Sequence, residues 1–127
     1  MPYDNEKFVE RLSESARGKT SSHKCATFVR KALEAGGADT RGHQESAKTY
    51  GPILQRNGFH EITVEDPETF AFQRGDIVVI QNYKGGSIHG HIAGFNGTNW
   101  VSDFVQNDFW PNKRYEMEHP NYVVYRR

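Results

Sequence analysis

The run Ile77-Val78-Val79-Ile80 limits what this chain can fold into more than any other stretch. Four consecutive β-branched apolar residues leave no polar face, so they read as a central strand covered on both sides of its sheet. The rest of the chain must supply both covers. Its 127 residues suit one domain, 1–127, able to bury roughly two-thirds of its unfolded surface. A single cysteine excludes an internal disulfide, so packing has to hold the fold. Sixteen Lys and Arg balance sixteen Asp and Glu, which removes the electrostatic case for nucleic acid or an anionic membrane as partner. No apolar stretch approaches the ~18 residues of a membrane span. The start, Met1-Pro2-Tyr3-Asp4-Asn5-Glu6-Lys7, lacks the basic and apolar regions of a signal peptide. The expectation is synthesis in the cytoplasm without a cleaved signal.

Helices come first. Asp4 can cap a helix with an apolar stripe of Phe8, Val9, Leu12 and Ala16, ended by Gly18. A second helix runs from about Lys24 to Glu34, with Ser22 as its expected cap and Gly36-Gly37 as its stop. A third helical stretch opens at Ser46, is broken by Gly51-Pro52, and closes at Asn57-Gly58. Strands follow: a short edge strand in Phe59–Val64, the central run at Ile77–Ile80, His89–Phe95, Trp100–Val105, and Tyr122–Tyr125. Asn96-Gly97 is a strong hairpin signal between the third and fourth of these, and Pro111-Asn112 breaks the chain before the last. Helices followed by an antiparallel meander make an α+β fold.

Cys25 falls in the first turn of the second helix and shares a face with Phe28, Val29 and Ala32. There the helix dipole and the unpaired N–H groups can lower a thiol pKa from about 8.5 into the roughly 3.5–7.5 range. On these residues alone Cys25 reads first as a small buried hydrophobe. Thiol reactivity separates the readings: a catalytic Cys25 alkylates with iodoacetamide well below pH 8, and a structural one does not.

A cysteine nucleophile needs a base, and the base an orienting group. His23 is two residues from Cys25 and points elsewhere on a helix. His43, His60 and His119 lie in polar sequence. His89 and His91 share one strand face unless Gly90 introduces a bulge. His91 precedes Ile92-Ala93-Gly94-Phe95 and is the base held most rigidly; a structural role for it stays open. With Asn96-Gly97 at the hairpin tip, Asp103 returns beside His91 and can orient it, with Gln106 and Asn107 in reserve. Zinc on His89, His91 and Asp103 is the competing chemistry. It lacks the Cys-x-x-Cys or His-Glu-x-x-His spacing, so neither a metal nor a cofactor is expected.

Cys25 opening a helix, then Arg74-Gly75-Asp76-Ile77-Val78-Val79, Gly90-His91-Ile92-Ala93 and Trp100-Val101-Ser102-Asp103, resemble the NlpC/CHAP group of papain-like cysteine peptidases. The resemblance runs from about residue 20 to the end. Ser46-Ala47-Lys48-Thr49-Tyr50-Gly51-Pro52 and Ser102-Asp103-Phe104-Val105-Gln106 bring it nearer to the small amidase effectors exported by bacterial type VI secretion. It implies a papain-like fold and cleavage of amide bonds in peptidoglycan stem peptides, with Cys25 as nucleophile, His91 as base and Asp103 as orienting residue. It also implies an antibacterial effector acting in the periplasm of a target cell, with a cognate immunity protein as a partner. Cys25 before His91 argues against the permuted lipid acyltransferase relatives, where the histidine comes first. The pattern gives His89 no role, and the chain has no spare length for a cell-wall-binding module. Two alternatives stand beside this reading: a phage or housekeeping lysin of the same chemistry, and a non-catalytic binding domain.

Overall fold

The computed structural model describes residues 2–16, 18 and 23–127. Helix α1 (Asn5–Ser15) starts where Asp4 accepts the Lys7 N–H, and it buries Phe8, Val9 and Leu12. Helix α2 (Cys25–Ala35) buries Ala26, Val29, Ala32 and Leu33. The two pack together, and the Asp4 N–H bonds the Gly36 carbonyl at 2.7 Å where their ends meet. Ser22, the expected cap of α2, lies outside the described residues. Lys24 holds the capping position and makes no side-chain cap bond. The third helical stretch divides as expected into a 3-10 turn, Ala47–Thr49, and α3 (Gly51–Arg56), with Pro52 in the first turn of α3, where its missing N–H costs nothing.

The sheet has five strands: β1 (His60–Ile62), β2 (Ile77–Ile80), β3 (His91–Phe95), β4 (Trp100–Val101) and β5 (Tyr122–Arg126). All neighbours are antiparallel, in the order β1-β5-β2-β3-β4. The architecture is α+β with an antiparallel sheet. It is not a simple meander, because β5 inserts between β1 and β2. The two parts of that insertion are held by β5 pairing with both neighbours and by Arg126. The Arg126 guanidinium clamps the buried Asp76 carboxylate through two bonds of 2.9 and 2.8 Å at the mouth of β2.

β2 is covered on both faces, as its composition requires. Ile77 and Val79 join the helical layer, with Phe8, Leu12, Val29, Leu54 and Ile92. Val78 and Ile80 face the other way, into Ala93, Trp100, Phe109, Trp110 and Tyr115. That second cover is a web of aromatic rings: Phe72, Trp100, Phe109, Trp110 and Tyr122 meet at centroid distances of 4.9–5.7 Å. It includes a helix that the breaker residues concealed, α4 (Lys113–Glu118), capped by Asn112 accepting the Tyr115 N–H. Gly94 in β3 lets α1 lie close on the sheet: a Cβ there would stand 2.7 Å from a Leu12 methyl carbon and 2.9 Å from the Phe8 ring.

Candidate active site

Cys25 is the first residue of α2 and is half-buried. Backbone N–H groups of Ile92 on β3, of Ala26 and of Cys25 itself act on its sulfur and lower its pKa. These donors favour the thiolate, as a helix start should. Burial outweighs them, and the Asp103 charge adds to it, so the thiol is pushed up to about 11. The resting group is therefore a thiol, not the thiolate that the helix start suggested. Removing the sulfur from water costs more than three N–H groups return.

His91 opens β3 and is 6% exposed. Gly90 before it has φ +69°, and a Cβ there would strike the Ile80 carbonyl oxygen. That twist separates the two histidines. His91 turns inward, its ring 6.0 Å from the Tyr115 ring. His89 stays exposed, its Nδ1 bonded to Ser46 Oγ at 2.6 Å and its carbonyl accepting the Lys48 N–H. Burial lowers the His91 pKa from its ordinary value; the Gln106 bond and the Asp103 charge oppose that shift. His91 is accordingly a neutral imidazole.

Its partner is Gln106. His91 Nε2 lies 2.7 Å from Gln106 Oε1. The Gln106 amide nitrogen donates to the Asp108 and Phe109 carbonyls, at 3.1 and 3.2 Å, which fixes the amide orientation. Oε1 can then only accept, so Nε2 carries the proton and Nδ1 keeps its lone pair. A completely buried glutamine thus assigns the tautomer of a buried histidine.

The hairpin at Asn96-Gly97 forms as expected, with Phe95 opposite Trp100 and Gly94 opposite Val101. The strand beyond it is two residues long, not six. At Ser102 the chain turns back: the Ser102 N–H bonds the Phe104 carbonyl, Val101 pairs with Val105, and the Gln106 N–H bonds the Trp100 carbonyl. This second reversal delivers Gln106 to His91. Asp103 sits inside the turn, fully buried, and its charge acts on both His91 and Cys25. Sequence reasoning held Gln106 only in reserve. The available signal was an amide, Gln106, directly after the apolar pair Phe104-Val105.

Cys25 and His91 line one cleft of about 810 Å³. Its walls come from the start of α2, the 43–50 segment, the 83–91 turn and the start of α4; they carry Arg30, Tyr50, Tyr83, His89 and Tyr115. The Tyr115 hydroxyl is pushed up to about 12 by burial, and the Cys25 charge adds to the shift. His43 and His23 also line the cleft, while His60 and His119 lie exposed elsewhere. Among the described residues, no three His, Cys, Asp or Glu side chains form a metal-holding group. No described helix is long and apolar enough to cross a membrane.

Comparison with known proteins adds the family. The chain is 36% identical, over 98% of both chains and with a TM-score of 0.85, to a chain of the type VI native effector–immunity complex Tae3–Tai3 from Ralstonia pickettii. The selenomethionine form of that complex matches at 37% identity, over 94% of this chain and 98% of that one, with a TM-score of 0.79. Ly7917 shares the fold at 15% identity and a TM-score of 0.53, over 94% of this chain and 61% of its own. No curated protein sequence matches significantly. The sequence profile of the Amidase_5 family, described as bacteriophage peptidoglycan hydrolase, matches residues 7–109, and the chain belongs to that family.

Proposed function

We propose that this protein is a cysteine amidase of papain-like, NlpC/CHAP-type fold that cleaves amide bonds in peptidoglycan stem peptides. One observation carries the reading: a cysteine at a helix start and a histidine whose tautomer is fixed by a buried amide line the same cleft. In the proposed reaction, Nδ1 of His91 takes the Cys25 proton as sulfur attacks the peptide carbonyl. Backbone N–H groups at the start of α2 and a cleft hydroxyl are the candidate donors to the oxyanion. His91 then protonates the leaving amine, and water, activated by the same nitrogen, releases the acyl group. Gln106 holds the ring through Nε2, while the nearby Asp103 carboxylate offsets the positive charge on the imidazolium.

Family membership supports peptidoglycan as the substrate. The similarity to a chain of a type VI effector–immunity complex supports an antibacterial effector delivered to the periplasm of a target cell, with a cognate immunity protein as partner. The family's bacteriophage description favours a second version, a phage lysin of the same chemistry. Purified sacculi digested with the protein and analysed by mass spectrometry test the chemistry. The expected products carry one new amine and one new carboxylate per cut, and Cys25→Ala yields none. Unchanged muropeptides with the wild-type protein would overturn the reading.

A further inference from the structure

Arg30 has a place in the cleft that the proposed amide chemistry leaves unused. It stands on α2, five residues after Cys25, about 7.5 Å along the helix axis at 1.5 Å per residue. That is about two steps of an extended peptide. Arg30 lines the cleft, and its guanidinium is tied to a neighbouring carboxylate. Nη1 donates to Glu34 Oε2 at 3.1 Å, and Glu34 is itself fixed by the Thr40 hydroxyl at 2.6 Å. The Tyr50 hydroxyl is within electrostatic reach of the Arg30 guanidinium, and Tyr50 is 1% exposed. A guanidinium has five N–H donors, so this clamp leaves donors for a ligand in an orientation already set. Among the described residues, Glu45 is the one carboxylate lining the cleft, set against Lys24 and Arg30.

We infer that Arg30 is a specificity-determining residue that binds a carboxylate of the substrate, about two backbone positions from the scissile amide or at the end of a long side chain beside it. The inference rests on the amidase reading and narrows its substrate to acidic stem peptides. A planar fork held by a glutamate beside a buried tyrosine matches a carboxylate's two oxygens, and a carboxamide offers it only one acceptor oxygen.

The test uses two peptides identical except for one carboxylate or carboxamide at that position. kcat/KM is measured for the wild-type protein, Arg30→Gln and Arg30→Lys, and Kd for both peptides is measured in the Cys25→Ala background. Wild type is expected to prefer the carboxylate by about tenfold or more, as charged hydrogen bonds are stronger than neutral ones. Arg30→Gln brings that ratio near one, and Arg30→Lys falls between. Equal losses on both peptides, with a lowered Tm, make Arg30 a strut between Glu34 and Tyr50 and overturn the inference. Equal cleavage of both peptides by wild type also overturns it and leaves the amidase intact. If wild type cleaves neither, the amidase reading itself fails; if Cys25→Ala then also shows no preference for the carboxylate, the inference falls with it.

Discussion

His91 Nε2 and Gln106 Oε1 are 2.7 Å apart, and the other end of the amide is tied to two backbone carbonyls. The amide cannot rotate without losing those bonds, so it holds the imidazole in one tautomer. Gln106→Ala is expected to lower kcat/KM on muropeptides by about a hundredfold, the scale of a roughly 1 Å misplacement of a base. Asp103→Asn keeps shape and removes charge. It is expected to act less severely, because it weakens support for the imidazolium without freeing the ring. A larger loss from Asp103→Asn than from Gln106→Ala would transfer the orienting role to Asp103.

The two histidines separated by Gly90 are expected to differ sharply. His91→Ala abolishes activity to the level of Cys25→Ala. His89→Ala retains a measurable fraction, since exposed His89 contacts Ser46 and the 3-10 turn rather than the buried pair. Circular dichroism of each variant separates loss of function from loss of fold. An inactive His89→Ala beside an active His91→Ala would reverse the assignment.

A thiol pushed up to about 11 is not preformed as a thiolate. Iodoacetamide alkylation of Cys25 is therefore expected to rise steadily from pH 6 to about 9, without a plateau near neutrality. Alkylation well below pH 8 then no longer separates a catalytic from a structural thiol; the Cys25→Ala assay does. kcat/KM carries an acid limb from His91, displaced below 6.5 because burial disfavours its charged form. An alkylation plateau near pH 6 would mean a resting thiolate–imidazolium pair and would falsify proton transfer at the moment of attack.

Burial of neutral His91 also ties stability to pH. Its folded pKa lies below the ordinary 6.5, so the unfolded chain binds protons first on acidification. This contribution is complete above about 6.5 and is lost as pH falls through that value toward the lower folded one. Thermal melts between about pH 7 and 5.5 are expected to show a declining Tm, with a shallower slope in His91→Gln. Equal slopes would remove His91 as the cause.

Asp76 is 1% exposed and receives both bonds from Arg126, whose side chain is 26% exposed. Arg126→Met leaves that carboxylate buried without its cation, an expected cost of about 3 kcal/mol. Denaturant unfolding measures the cost, while kcat/KM of the folded variant stays near wild type. A loss under about 1 kcal/mol would show that solvent reaches Asp76 freely.

Much of the fold was legible locally. The Asp4 cap and the Phe8, Val9, Leu12 stripe specify α1 from contacts within four residues, and Gly51-Pro52 marks the break of the third helical stretch by backbone sterics alone. Ile77–Ile80 announced a strand covered on both faces because no alternative hides four β-branched residues. Asn96-Gly97 set a hairpin for the same local reason. The chain order also placed Cys25 at a helix start and His91 on a strand. What lay beyond local reach was decided by tertiary packing. β5 enters between β1 and β2 because its pairing with both joins residues far apart in the chain, as does the Arg126 clamp on Asp76 across 50 positions. The reversal at Ser102–Phe104 shortened β4 and carried Gln106, held only in reserve by the sequence, to His91 Nε2. The protonation states followed the same division. Sequence position put N–H donors at the Cys25 sulfur, but its pKa depends on water excluded by β3 and the cleft walls, a property of residues far apart in the chain.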